Sequence, residues 1–282
     1  MTDTALAVRE IADGVFALRH PELNVNAALV LGDGEALLVD TLSHGAQARR
    51  LAAAARRITG APLTLVNTHH HFDHCWGNGV LADPDGRPVW AHENCRRRLV
   101  ADGERLRERW RRQWAPTHPA LAAGLAAAPL LVPTRTFVVD ALLEVGGRAV
   151  TLSHPGPGHT DGDVVVHVPD VGVLIAGDLV EQGAPPDFED GDALAWPAAL
   201  DELLTRFGTA RAVLPGHGDP VDLEFVAGQR DALAALAELL VAGHDRGATA
   251  EQIAERSSWP PAAVLPAARR ALARLKARDP GR

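Results

Sequence analysis

Between Val66 and Gly79 the chain reads VNTHHHFDHCWGNG, with four histidines and one aspartate in the six positions from His69 to His74. Few folds tolerate that density. Imidazoles and a carboxylate crowded together are costly to bury unless they are hydrogen-bonded, paired or bound to a cation. The preceding run PLTLVNT is short, apolar and β-branched, which predicts a buried strand that delivers the chain into the cluster. In an extended segment leaving that strand, His69 and His71 point to the same side and can face one ion. Asp73 and His74 follow where the chain turns toward helix, so they point to a neighbouring position. The spacing predicts two adjacent metal sites rather than one crowded site. His70 faces the other way and is not expected to be a ligand.

Three later loops each close a predicted strand and each offer one further ligand. SHPGPGHTDGD presents His159 after a Pro/Gly-rich turn, and VLIAGDLV presents Asp178 at the end of an apolar strand. AVLPGHGD presents His217 between glycines, which let backbone approach closely. A carboxylate closing a run as apolar as Val173 to Ala176 needs a partner, a metal or solvent.

Strands and helices alternate around these motifs. Gly14–Arg19, Asn26–Gly34 and Glu35–Thr41 read as a β-meander with Gly32-Asp33-Gly34 as its hairpin signal. GAQARRLAAAARRITG runs at helical period and stops at Gly60. A helical block rich in Arg, Ala and Leu covers Glu93 to about Ala127 and is broken at Pro116 and Pro119. Strands return at Thr136–Asp140, Arg148–His154, Asp163–Pro169, Gly172–Asp178 and Arg211–Gly216, with a helix near Pro197–Phe207 before the last. After Asp222 the pattern is helical to the end, with two short amphipathic helices joined through Pro260-Pro261. The expected class is α/β or α+β, sheets covered by helices. The expected organisation is a catalytic domain over 1–222 with a helical insert at about 93–133, followed by a helical extension over 223–282.

Composition narrows the function classes. A net charge of -8 over 282 residues argues against an electrostatic grip on nucleic acid or acidic lipid. The arginine-rich patches at Arg96–Arg98 and Arg105–Arg112 fall on one helical pattern and read as a solvated face. Two cysteines, Cys75 and Cys95, make no disulfide framework and favour a reducing compartment. No basic-then-apolar leader opens the chain, and no uncharged apolar run approaches the roughly 18 residues a bilayer span needs. The expectation is a soluble, cytoplasmic protein with a small-molecule substrate, no nucleic-acid or membrane partner, and a homodimer as one option for the C-terminal helices.

Taken together, THHHFDH, PGHT, the strand-end GD and PGHG resemble, in order, the metal motifs of the metallo-β-lactamase superfamily. LLVDT, Leu37 to Thr41, resembles its early aspartate motif, and the likeness covers roughly residues 14 to 220. The resemblance implies a four-layer αββα sandwich with metals at one edge. It implies that His69, His71 and His159 hold one metal, that Asp73, His74 and His217 hold a second, and that Asp178 bridges them. Asp40 then steadies the ligand loop from behind; a plain turn residue at the strand end is the other reading.

Nitrogen and carboxylate donors of this kind suit two zinc ions best, with iron or manganese as alternatives. The implied chemistry is hydrolysis by a metal-bridging hydroxide, water's pKa being lowered toward ~7 by metals ~3.5–4 Å apart. Asp73 is placed to orient that nucleophile or shuttle its proton. The fold hosts many reactions, so it does not name the substrate. Asp178 stands where the best-known β-lactamases carry cysteine, and the chain has no tyrosine for a lactonase-type site. What fits best is a small ester, thioester or lactone. The alternative is a non-hydrolytic enzyme of the same fold, a biosynthetic cyclase or an iron-dependent oxygenase. His92 reads as structural. Trp76, Trp110, Trp114 and Trp196 fit either core packing or a pocket wall, and Asp163 either supports a ligand loop or only starts a strand.

Overall fold

A computed structural model describes residues 5–82 and 86–278. The chain opens with β1 (Ala7–Ala12), β2 (Val15–His20), β3 (Val25–Leu31) and β4 (Ala36–Val39), then passes through α1 (Gly45–Ile58) into β5 (Leu63–Val66). Two short helices, α2 (Phe72–Cys75) and α3 (Asn78–Leu81), precede β6 (Val89–His92), the long α4 (Glu93–Trp114), α5 (Pro119–Ala127) and β7 (Arg135–Phe137). The second half runs β8 (Asp140–Val145), β9 (Arg148–Ser153), β10 (Val165–Val168), β11 (Val173–Glu181), α6 (Trp196–Arg206) and β12 (Ala212–His217). It closes with α7 (Leu223–Asp245), α8 (Ala250–Ala254) and α9 (Pro261–Arg278).

The local chemistry explains the boundaries. Leu31 pairs with Ala36 across the Gly32–Gly34 turn, where Gly34 takes a φ of 69° that side-chain-bearing residues avoid. His44 caps α1 by accepting the Ala46 N–H, Asp222 caps α7 by accepting that of Phe225, and Thr249 with Gln252 forms a capping box on α8. Buried Ala48, Leu51 and Ala55 sit three and four apart on α1, so one apolar stripe seats it on the sheet. Three strands were not legible: β1, whose residues are mostly exposed, the four-residue β6, and β8, which begins where the expected strand Thr136–Asp140 ends. The second of the two Pro-linked helices is 18 residues long, because Pro261 serves as its first turn, where no N–H is required.

The described strands form one hydrogen-bonded path, β7-β6-β5-β4-β3-β12-β11-β10-β9-β8, with β2 and β1 branching from β3. Its two halves join at β3 and β12 through a single residue pair, Val25 with His217. That short join is a crease. Across it Val30, Val39 and Val66 of one half pack against Leu152, Val166, Ile175 and Leu214 of the other in one buried cluster. Outside the first half lies α1 on Leu29, Leu38 and Leu65. Outside the second, α6 to α9 pack on Leu174, Ala176 and Val180. The layers are therefore helix, sheet, sheet, helix, and each buried leucine or valine contributes about 1.5–3 kcal/mol to holding them together. Helices α4 and α5 cover the end of the sandwich, with Trp76, Leu99, Trp110 and Leu121 in their own core.

Cys75 and Cys95 are buried free thiols, and burial pushes both thiol pKa values up. Among the described residues no helix is long and apolar enough to cross a membrane.

Candidate metal centre

Three strand ends and the interior of a fourth strand deliver the cluster to one edge of the sandwich. β5 runs into Thr68 and His69, the β9–β10 connection carries His159, β11 carries Asp178 and β12 ends on His217. Asp178 does not close its strand as the sequence reading expects, since β11 continues three residues to Glu181. The pairing of β11 with β12 shifts register on both sides of Gly177, which sits at φ 54° against the Thr68 side chain. This irregularity lets a strand interior aim a carboxylate at the site.

His69, His71, His159 and Asp178 gather with one potential ligand atom from each within 4.8 Å of the others, and Asp73, His74 and His217 form a second such group. Asp178 reaches both. Its Oδ2 lies 3.7 Å from His69 Nε2, 3.5 Å from His159 Nε2 and 3.4 Å from His217 Nε2, while Oδ1 lies 3.2 Å from His74 Nε2. His217 Nε2 is 3.4 Å from Asp73 Oδ2. His69, His71, Asp73, His74, His159 and Asp178 are all buried, and His217 is half-buried.

Each of the five imidazoles has its outer nitrogen engaged. His159 Nδ1–H donates to the Asp187 carbonyl at 3.1 Å and His217 Nδ1–H to the Leu23 carbonyl at 2.8 Å. His74 Nδ1 meets Asp40 Oδ2 at 2.8 Å, His71 Nε2 meets Asp190 Oδ2 at 3.2 Å, and His69 Nδ1 meets Thr68 Oγ1 at 3.0 Å. A carbonyl only accepts, so those protons sit outside and the inner nitrogens of the neutral rings carry lone pairs. These inner nitrogens face one another, His71 Nδ1 to His159 Nε2 at 2.9 Å and His74 Nε2 to His217 Nε2 at 3.4 Å. Among the described residues His69 Nε2 and Asp178 Oδ1 make no well-directed hydrogen bond, although His74 Nε2 stands 3.2 Å from that oxygen. Converging lone pairs and orphaned buried acceptors are what a cation between them would satisfy, so the residues fit the metals that the sequence motifs imply.

The electrostatics agree. Burial opposes charge on His217 and His74, yet the Asp178 and Asp73 carboxylates outweigh it, pushing His217 up to about 10 and His74 well above the usual imidazole range. Asp178 is held well below the carboxylate range because His74 and His217 outweigh its burial. The field at this point favours positive charge.

Asp40 behaves as a support: it is buried and accepts from Thr68 N–H and Oγ1–H, each at 2.8 Å, besides His74. Asp163 likewise accepts from Thr160 N–H and Oγ1–H and so braces the His159 turn.

Residues 20–218 match the metallo-beta-lactamase superfamily. The chain belongs to that superfamily. It is 31% identical over 198 residues to a metallo-beta-lactamase type 2 of Bacteroides fragilis, covering 69% of each chain. It is 28% identical over 205 residues to the acyl-coenzyme A thioesterase MBLAC2 of Gallus gallus, covering 68% of this chain and 72% of the relative. It is also 26% identical over 261 residues to a linear primary-alkylsulfatase of a Pseudomonas species, spanning 80% of this chain but only 48% of that longer protein. A solved metallo-beta-lactamase from Pontibacter korlensis superposes with a TM-score of 0.66 at 22% identity, over 81% of this chain and 99% of that one. That likeness establishes the metallo-β-lactamase fold.

Within this family member the other candidates separate cleanly. His70 turns away from the cluster and shares Asp190 Oδ2 with His71, at 3.2 Å each. Burial lowers its pKa to about 4. These three also gather at ligand distance, but Arg98 and Arg109 stand 3.9 and 3.7 Å from the Asp190 carboxylate and supply its positive charge. His92 is structural: Nδ1 accepts from Asn94 N–H and Nε2 reaches the Val138 carbonyl. Trp76 and Trp196 are core; Trp110 is buried in the core of α4 and α5 yet borders, with the half-buried Trp114, a cavity of about 390 Å³ over the cluster. Two functional neighbours escaped the sequence reading. Asp190 lies in the acidic run DFEDGD between motifs, and Glu181 lies three residues past Asp178 on the buried strand. Burial and the nearby Asp178 carboxylate push Glu181 up to about 8.

Proposed function

We propose that this chain is a dinuclear-metal hydrolase, with zinc the ion its donor set suits best, acting on a small ester, thioester or lactone. The observation that carries the reading is the set of five imidazoles with outer nitrogens engaged and inner nitrogens converging on Asp178. His69, His71 and His159 would hold one ion, Asp73, His74 and His217 the other, and Asp178 would serve both. Bound there, the ions would supply an activated water at neutral pH and polarise the oxygen of the scissile group. Asp73 and the cavity wall do the rest. Asp73 opens onto the cavity floor beside His217, where its free carboxylate oxygen can orient the nucleophile and take its proton. Phe72, Trp110, Trp114 and Leu23 wall one side and exclude bulk water from the reacting carbonyl.

The relatives support hydrolysis as the reaction class, since the thioesterase and the alkylsulfatase both cleave an ester-type bond by their names. Asp178 in place of a thiolate argues against antibiotic hydrolysis as the main role. The reading includes a cytoplasmic location, and the C-terminal helices α7 to α9 complete the outer layer of the catalytic unit.

Metal analysis of the purified chain, followed by a panel of esters, thioesters, lactones and phosphodiesters, tests the proposal. Two equivalents of zinc and ester or thioester turnover that Asp73→Ala abolishes are expected. A metal-free protein, or Asp73→Ala with unchanged hydrolysis, would overturn it. Iron with oxygen uptake and no hydrolysis would replace it with the oxygenase reading.

A further inference from the structure

The cavity over the metal centre is built asymmetrically. One wall is apolar and aromatic, from Leu23, Phe72, Trp110 and Trp114. The facing wall carries the acidic side chains of Glu181, Asp187 and Glu189, with the carboxamides of Gln113 and Gln182 nearby. Among the described residues no arginine or lysine lines it. The nearest guanidinium groups are committed elsewhere. Arg109 pairs with Glu189 at 3.0 Å and leans over the Trp110 ring. Arg270, from α9, donates to the carbonyl oxygens of Glu189 and Gly191 from behind the wall. Arg98 is held by Asp102 at 2.7 Å.

Resting on the hydrolase reading, we infer that the substrate's non-reacting part is an apolar, flat group whose other polar atoms are uncharged or cationic, and that anionic esters are rejected. An anion carried beyond the scissile bond would give up its hydration in this cleft and find no cation to replace it. It would instead stand beside Asp187, an exposed carboxylate that accepts a hydrogen bond from the Glu189 N–H. Like charges so placed are a common device for refusing a wrong partner. A neutral ring suits the other wall, where the half-buried Trp114, backed by the buried Phe72 and Trp110, offers its ring for aromatic packing. A quaternary ammonium gains from the same rings and from Asp187. The inference separates this chain from analogy with its thioesterase relative, because acyl-coenzyme A carries phosphate charge far from the bond that is cut.

The test is hydrolysis, by the metal-loaded full chain, of para-nitrophenyl phenylacetates bearing a methyl, a carboxylate or a trimethylammonium group at the para position of the acyl ring. The leaving group is the same in all three, so differences report the cavity. The methyl and ammonium esters are expected to exceed the carboxylate in kcat/KM by about tenfold or more. Asp187→Lys should raise the carboxylate-to-methyl ratio by a similar factor, and Gln113→Lys, on the exposed side of α4, gives an independent answer should the first variant not fold. Ratios within one preparation do not depend on the folded fraction. Equal turnover of the carboxylate ester, or lysine variants with an unmoved ratio, would overturn the inference and leave the hydrolase reading standing. If metal-loaded protein cleaves none of these esters nor any thioester or lactone, both fall.

Discussion

Asp190 Oδ2 sits 3.2 Å from His71 Nε2, on the side of the ring opposite the nitrogen that faces His159. The carboxylate thereby holds the proton on Nε2 and leaves Nδ1 free to ligate. Arg98 and Arg109 of α4 stand 3.9 and 3.7 Å from Asp190 and help hold it in place, so the helical insert acts on His71 through that carboxylate as well as through Trp110, whose ring packs edge-on 5.7 Å away. Asp190→Ala is expected to weaken metal binding about 10–100-fold, the usual effect of losing such a partner. Competition with a chromogenic chelator measures it directly. Unchanged affinity would show that His71 is oriented by its packing alone.

Asp40 gives the same argument a harder form. It occupies a left-handed backbone position, φ 65°, that aspartate and asparagine both tolerate, so Asp40→Asn leaves the turn intact. The carboxylate accepts three hydrogen bonds from Thr68 and His74, whereas the amide must present an NH₂ to one of those donors. A loss of about 1–3 kcal/mol in stability follows from the unmet buried group. Metal release should accompany it, because His74 loses the group that fixes its tautomer. Urea denaturation and metal content, compared with the parent, read out the two effects separately.

Gly216 tests the backbone instead. A Cβ there would overlap Asp178 Oδ1 and crowd the Gly177 carbonyl carbon, so the carboxylate has its position only because residue 216 has no side chain. Gly216→Ala should destabilise by about 1–3 kcal/mol, the range for forcing atoms into a filled space. It should also blunt the response to chelation. If metal stabilises the native protein, EDTA lowers the parent's melting temperature, and the variant's melting temperature starts low and moves little. A variant that melts like the parent with and without EDTA would refute this.

These residues also show where sequence reading stops. His69, His71, Asp73 and His74 form a local pattern, and His159, Asp178 and His217 each stand in a short Gly- or Pro-marked loop, so spacing and residue type reveal them. Asp190 has no such pattern: its contact with His70 spans 120 positions, and only the fold makes it. Glu181 hides because a run of nine buried strand residues looks apolar by period, and its meaning comes from a register shift at Gly177. The four layers follow from strands alternating with amphipathic helices. The crease at Val25 and His217, which brings the second half-sheet's ligand to the first, rests on one pairing that no local preference encodes.

His92 sets a pH dependence away from the metals. Its Nδ1 accepts from Asn94 N–H at 3.2 Å while Nε2–H donates to the Val138 carbonyl at 2.9 Å, an arrangement that only the neutral ring supports. Burial first, then the His154 ring stacked 4.0 Å away, lowers its pKa below the ordinary value. In the unfolded chain the ring titrates near ~6.5. Between that value and the lowered folded one, the unfolded chain binds more protons, so stability rises with pH across the window. On acidification the loss therefore begins as pH drops past ~6.5 and is complete below the folded pKa. His92→Gln removes this titration. The urea midpoint of the variant should fall less than the parent's between about pH 7 and about pH 5. Part of the slope will persist, because burial also lowers His20, His44 and His167. Midpoints at a series of pH values decide it: parallel curves for parent and variant would mean that His92 is not a source of the acid sensitivity.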